Sequence, residues 1–185
     1  MKFEETFIKG LYVITPNVFG DNRGWFSESY NKNDFDKQGI DIDFVQDNHS
    51  FSLQKGVLRG LHLQKDPFAQ AKLVRCTKGK VWDIAVDLRK SSPTYLKWFG
   101  IELSSENHKM FLVPRGFAHG FVTLEDGTEF QYKVDNFYDK PSDRSIKYDD
   151  PDINVSWPTI DLILSDKDKN APLFKESDVD FKWNI

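Results

Sequence analysis

His62, Lys72, His119 and Tyr132 offer the most chemistry in this sequence, and each lies in a segment that otherwise reads as a strand. His62 ends the run Val57-Leu58-Arg59-Gly60-Leu61-His62, and Lys72 opens Lys72-Leu73-Val74-Arg75-Cys76. His119 follows Pro114-Arg115-Gly116-Phe117-Ala118, and Tyr132 sits in Glu129-Phe130-Gln131-Tyr132-Lys133. A base, a cation and a phenol among strands with apolar faces form a proton-transfer set. Imidazole accepts a proton near neutrality, an ammonium stabilises a developing anion, and a phenol returns a proton. Left unpartnered, such groups would destabilise a core. Each also has a plain structural use. His62 reads equally as a satisfied core or rim histidine, and His119 as a plug in a barrel mouth. Lys72 reads also as a surface lysine on an edge strand, and Tyr132 as a core or interface phenol. A metal site needs three or four converging ligands, and none gathers around His62, so no metal is expected.

Short strand-like runs must position these groups. They are Leu11–Ile14, Trp25–Tyr30, Phe44–Asn48, Val57–Leu63, Leu73–Thr77, Val81–Leu88, Trp98–Leu103, Met110–Val113, His119–Thr123 and Glu129–Asn136. Many short strands at this spacing predict an antiparallel sandwich or barrel. A short helix is expected from Asn33 to Gln38, stopped by Gly39. Beyond Pro141 the chain is expected to form loops and short helices that wrap the barrel. Lys78-Gly79 and Asp126-Gly127 each read as a two-residue hairpin turn. The first sets Lys72 opposite Ala85 and diagonal to Asp83, with Cβ atoms roughly 7 Å apart. The second sets Phe121 opposite Tyr132, so that His119, Phe121, Phe130 and Tyr132 share a face. Trp82, Ile84, Val86 and Leu88 form an apolar stripe on the other side of the Asp83 strand.

The 185 residues suffice for one domain, 1–185, burying roughly 70% of its unfolded surface. A hydrophobic fraction of 39% with sixteen Phe excludes disorder. A net charge of −4 argues against bulk nucleic-acid or anionic-membrane binding, while leaving room for a small anion held by a few arginines. The single Cys76 cannot form an intrachain disulfide and reads as a buried structural thiol, which suits a reducing compartment. The N-terminus has no apolar signal segment, and no run is long enough to span a bilayer, so the expected location is the cytoplasm. Arg23 and Arg59 stand next to glycine, as close forked contact with phosphate oxygens requires, although both could be ordinary surface charges. Ser165-Asp166-Lys167-Asp168 resembles a capping box, which on these residues alone makes Asp168 a helix cap. Asp83 could be only an ion-pair partner.

Taken as an ordered set, these segments resemble the dTDP-4-dehydrorhamnose 3,5-epimerase family of the cupin superfamily. The likeness runs from Phe19-Gly20-Asp21-Asn22-Arg23-Gly24-Trp25-Phe26-x-Glu28 through Phe44-Val45-Gln46-Asp47-Asn48-His49-Ser50 and Gly56-Val57-Leu58-Arg59-Gly60-Leu61-His62. It continues through Lys72-Leu73-Val74-Arg75-Cys76, Gly116-Phe117-Ala118-His119-Gly120-Phe121 and Tyr132-Lys133 to Leu164-Ser165-Asp166-Lys167-Asp168. The resemblance implies an all-β, cupin-type jelly-roll antiparallel barrel with a few short peripheral helices. It also implies a homodimer with exchanged N-terminal strands, no cofactor and no metal. The implied substrate is a dTDP-4-keto-6-deoxy sugar nucleotide, epimerised at C3 and C5. His62 would be the general base, oriented by Asp168, which overrides the capping reading. Lys72, supported by Asp83, would stabilise the enolate oxygen, and Tyr132 would return a proton from the opposite face. Arg23 and Arg59 would hold the diphosphate. Phe26, Glu28, Gln46 and Asn48 would meet the nucleoside, His119 and Tyr138 would line the sugar pocket, and Asp143 and Lys167 would also bind substrate. Four departures from the family pattern stand out, one of them Trp25, which is bulkier than usual beside Arg23-Gly24. Leu63 replaces an aromatic and Ala71 a glycine, and both are expected to reshape the sugar pocket. Arg115 replaces an acidic residue and is expected to add positive charge near His119. The competing readings are a single-position epimerase, a ketoisomerase, a non-catalytic sugar-nucleotide-binding cupin and a metal-dependent cupin.

Overall fold

The architecture is that of a computed structural model, which describes residues 1–183. Fourteen strands run in chain order as β1 (Lys2–Glu5), β2 (Tyr12–Thr15), β3 (Val18–Asp21), β4 (Gly24–Ser27), β5 (Gln46–Ser52), β6 (Val57–Gln64) and β7 (Lys72–Lys78). Then follow β8 (Lys80–Asp87), β9 (Trp98–Ser104), β10 (Met110–Val113), β11 (Phe117–Thr123), β12 (Thr128–Val134), β13 (Asp143–Ser145) and β14 (Ile163–Leu164). One sheet has the order β1-β2-β10-β7-β12-β5, and the facing sheet β13-β6-β11-β8-β9, with β14 added in parallel to β6. β3 and β4 pair only with each other. Ten of these strands fall on the expected runs, although β4 stops at Ser27 and β5 runs from Gln46 to Ser52, while β1, β3, β13 and β14 were not expected. The architecture is the jelly-roll barrel that the family resemblance implied.

Period-two alternation sorts the side chains. Val74, Cys76, Phe111 and Phe130 of the first sheet meet Val81, Ala85, Leu103 and Phe121 of the second inside the barrel. Phe121 and Phe130 stack with centroids 4.2 Å apart. The stripe of Ile84, Val86 and Leu88, flanked by Trp82, faces outward and is covered by Ile146, Ile153, Phe174, Val179 and Phe181. The chain beyond Pro141 thus wraps the barrel as expected. On the first sheet's outer face, Leu73, Met110 and Leu112 are covered by Phe35 of helix α1 (Lys32–Asp36), which Asn31 caps. The helix ends two residues before the expected Gln38, and Gly39, at φ +74°, follows in the turn beyond it.

Both expected hairpins are corrected. β7 does not pair with β8, because Lys78-Gly79 carries the chain from one sheet to the other. Lys72 stands opposite Val113 and Val134 rather than Ala85. Nor does β11 pair with β12 across Asp126-Gly127. Phe121 stands opposite Arg59 and Asp83, and Tyr132 opposite Asn48 and Val74. A glycine at positive φ reverses the chain equally well at a corner between sheets, and Gly79 (φ +75°) and Gly127 (φ +64°) do this. Strand order follows instead from burying both faces of each sheet. The expected facing survives, because interior positions of two opposed sheets point at one another as same-face positions of a hairpin would.

Candidate active site

One end of the barrel opens into a cavity of about 260 Å³ whose wall includes His62, Lys72, Tyr132, Gln46, Asn48, Tyr138, Asp143 and Lys167. The two sheets furnish opposing walls. β6 of the second sheet carries His62, while β5, β7 and β12 of the first carry Gln46 and Asn48, Lys72, and Tyr132. Leu63, expected to shape the sugar pocket, completes the lining with Gln64 and Gln70, to which the sequence motifs had given no functional role.

His62 Nε2 donates to Asp168 Oδ1 at 2.6 Å. Asp168 comes from helix α2 (Asp166–Lys169), whose N-cap is Ser165. The Asp168 amide donates to Ser165 Oγ at 3.2 Å, and that hydroxyl donates to Asp168 Oδ2 at 2.8 Å. Capping and contact with the histidine are therefore made at once, and the cap aims the carboxylate. Burial pushes the Asp168 carboxyl up, but the bonds from His62 and Ser165 and the charge of Lys167 outweigh it and hold it below the usual range. With Nε2 engaged, Nδ1 is the nitrogen left to take a proton.

Lys72 faces a buried network. Burial pushes its ammonium down to about 8, against the pull of Asp83 and then Asp143. Asp83 is fully buried and accepts from His119 Nε2 at 2.9 and 3.1 Å. His119 stands directly opposite His62 in the β6–β11 ladder. Lys72 and Asp83 are thus near one another across the barrel, not along a hairpin. Burial raises Tyr132 above the usual phenol value, with Arg59 pulling the other way, so the hydroxyl is protonated at neutral pH. Lys167 donates to Asp143 at 2.5 Å at the cavity mouth. Among the described residues no three His, Cys, Asp or Glu are arranged to hold a metal ion.

Other expected site residues lie elsewhere. Arg59 is exposed beside the cavity, its guanidinium donating to Phe51 O at 3.3 Å. Arg23 is bound to Asp21 at 2.6 Å on the projecting β3–β4 arm, with 85% of its side chain exposed. Phe26 on the same arm is exposed, and Glu28 accepts from Asn31. None of these four lines the chain's own cavity. The family departures also resolve. Arg115 pairs with Asp135 at 2.8 Å and is not on the cavity wall. Ala71 is buried, its amide donating to Asp135, and it is not on the cavity wall, whereas Leu63 is.

A barrel that holds a carboxylate-oriented imidazole, an ammonium and a neutral phenol around one cavity is built to move protons next to a carbonyl. Comparison with known proteins makes the assignment specific: the family model for dTDP-4-dehydrorhamnose 3,5-epimerase matches residues 5–176, and the chain belongs to that family. It is 51% identical over 179 residues to dTDP-4-dehydrorhamnose 3,5-epimerase of Shigella flexneri, covering 96% of this chain and 98% of the relative. The crystal structure of the enzyme from Elizabethkingia anophelis NUHP1 superposes with a TM-score of 0.90 at 55% identity, over 95% of this chain and 97% of that one. The dTDP-6-deoxy-D-glucose-3,5-epimerase of Legionella pneumophila Philadelphia 1, solved with dTDP-4-keto-L-rhamnose, reaches 0.95 at 42% identity, over 100% of this chain and 99% of that one.

Proposed function

We propose that this protein epimerises dTDP-4-keto-6-deoxyglucose at C3 and C5 to dTDP-4-keto-L-rhamnose, a step of dTDP-L-rhamnose biosynthesis. The observation that carries the reading is the His62–Asp168 pair facing Lys72 and Tyr132 across one cavity. The C4 ketone acidifies the protons at C3 and C5, both α to the carbonyl. His62 removes one, and the electrons move onto the ketone oxygen. The Lys72 ammonium stabilises that enolate, and a fixed charge acts most strongly where bound substrate excludes water. Tyr132 then delivers a proton to the opposite face of the carbon, which inverts it. Each inversion leaves His62 protonated and Tyr132 ionised, so both exchange protons before the second carbon reacts. No atom changes oxidation state overall, and the chemistry requires no redox cofactor.

In this reading Gln46 and Asn48 meet the nucleoside, Arg59 the diphosphate, and His119, Tyr138, Asp143 and Lys167 the sugar end. Arg23, Phe26 and Glu28 reach a cavity only in a homodimer whose N-terminal strands are exchanged. The exposed arm supports this, since Phe19, Trp25 and Phe26 each leave more than half of their surface uncovered. A cytoplasmic location fits a nucleotide-sugar substrate. No helix among the described residues is long and apolar enough to cross a membrane.

Proton NMR of dTDP-4-keto-6-deoxyglucose with the protein in deuterated water tests the reaction. Loss of both the C3 and C5 signals, with appearance of the L-sugar, is expected. Exchange at one carbon would make the protein a single-position epimerase. Saturable binding without exchange would make it a binding module.

A further inference from the structure

Tyr138 stands at the cavity mouth with 59% of its surface exposed, and among the described residues its hydroxyl engages no hydrogen bond. Its placement is therefore set by the backbone of residues 136–139. That backbone is held from below by Gln64, a residue only 5% exposed. The Gln64 amide nitrogen donates to Phe137 O at 3.1 Å and to Phe68 O at 2.6 Å. Its amide oxygen accepts from the Asp139 amide at 2.7 Å. Both ends of one side chain thus grip the two peptide groups that flank Tyr138. Gln70 adds a donation to Asn136 O at 2.8 Å, and Asn136 one to Pro67 O at 3.1 Å, which ties this loop to the one after β6.

Gln64 lies two residues beyond His62 on β6, so the two side chains leave the strand on the same face. We propose that Gln64 is a positioning residue of this enzyme: it locks the loop carrying Tyr138 onto the strand that carries the base, fixing base and pocket rim relative to each other before substrate arrives. Only a primary amide meets the demand. The loop offers carbonyl oxygens that need donors and an N–H that needs an acceptor, and an amide supplies both. A carboxylate of the same shape would face two carbonyl oxygens, and an alkyl chain would leave three part-buried polar groups without their side-chain partner. A rim held in advance spares the bound sugar the cost of ordering it.

The inference rests on the epimerase reading and on Tyr138 lining the sugar pocket. The test is a double-mutant cycle on the full-length protein with Gln64→Glu, Tyr138→Ala and the pair, scored by kcat and KM for dTDP-4-keto-6-deoxyglucose. Each single change is expected to raise KM by on the order of tenfold with a smaller loss in kcat, and the double change to be no worse than the single ones. KM effects that multiply in the double variant would overturn the proposal, as would a Gln64→Glu protein with lowered Tm and unchanged KM. Should Gln64→Glu not fold, Gln70→Ala replaces it in the same cycle, with the same two outcomes. Failure of the underlying reading is seen separately, as absence of C3 and C5 exchange in the unaltered protein.

Discussion

Lys72 holds its charge in surroundings that oppose it. Burial pushes it down to about 8, and Asp83 and Asp143 keep it from falling further. Only the protonated form stabilises an enolate, so Lys72 is active below that value and silent above it. The rate constant kcat/KM should therefore fall as pH rises through about 8. Replacing Asp83 by Asn removes an anion and should move this limb to lower pH; a pH–rate profile with an unmoved limb would separate Lys72 from it. The two proton carriers are told apart by substitution. His62→Ala should lower turnover by roughly 10²–10⁴-fold while nucleotide binding, followed by calorimetry, stays nearly intact. Tyr132→Phe should slow product formation more than deuterium exchange, and equal losses would remove it as the donor. At this scale the sequence was informative wherever a motif carried the residue. Asp168 shows the limit: its capping position is written locally, but its contact with His62, 106 residues away, is a product of folding.

Elements decide how the motifs meet. The alternation along β7, β8, β11 and β12 revealed which side chains share the interior, because that depends only on parity along each strand. It did not reveal the strand neighbours, because a two-residue glycine turn serves a hairpin and a sheet corner alike. Gly60 marks a contact that local reading could not supply. At φ +148° it lies against β11, and a Cβ there would sit 2.6 Å from the Gly120 Cα. This close approach lies within the β6–β11 ladder that sets His62 beside His119, at its register shift. Gly60→Ala should cost roughly 1–3 kcal/mol by overpacking and reduce turnover beyond what lost stability explains. Thermal unfolding together with assays well below Tm checks this, and an unaltered Tm and rate would show that the strands can part without consequence.

At the scale of the molecule, the β3–β4 arm carries three of the substrate-binding residues expected from the family likeness away from the chain's own cavity. If partner arms complete the sites, two defective chains should repair one another. His62→Ala and Arg23→Ala proteins, unfolded and refolded together in equal amounts, should form mixed dimers with one intact site each. Random pairing then gives about one quarter of the sites of the unaltered dimer. Activity no greater than the sum of the separate variants would mean that each chain works with its own Arg23. Motifs in the sequence identified the arm's residues, but the described fold of one chain does not bring Arg23, Phe26 or Glu28 to its own cavity.

The lone cysteine makes the barrel its own reporter. Cys76 points into the interior, its thiol pushed up to about 11 by burial and donating to Lys78 O at 3.2 Å. In the closed barrel it should be blind to iodoacetamide, so alkylation counts excursions in which the two sheets separate. Since the cavity is built from both sheets, saturating nucleotide sugar should slow labelling in proportion to its occupancy. Ligand affinity is then readable by mass spectrometry, without a turnover assay, even in variants that have lost their base.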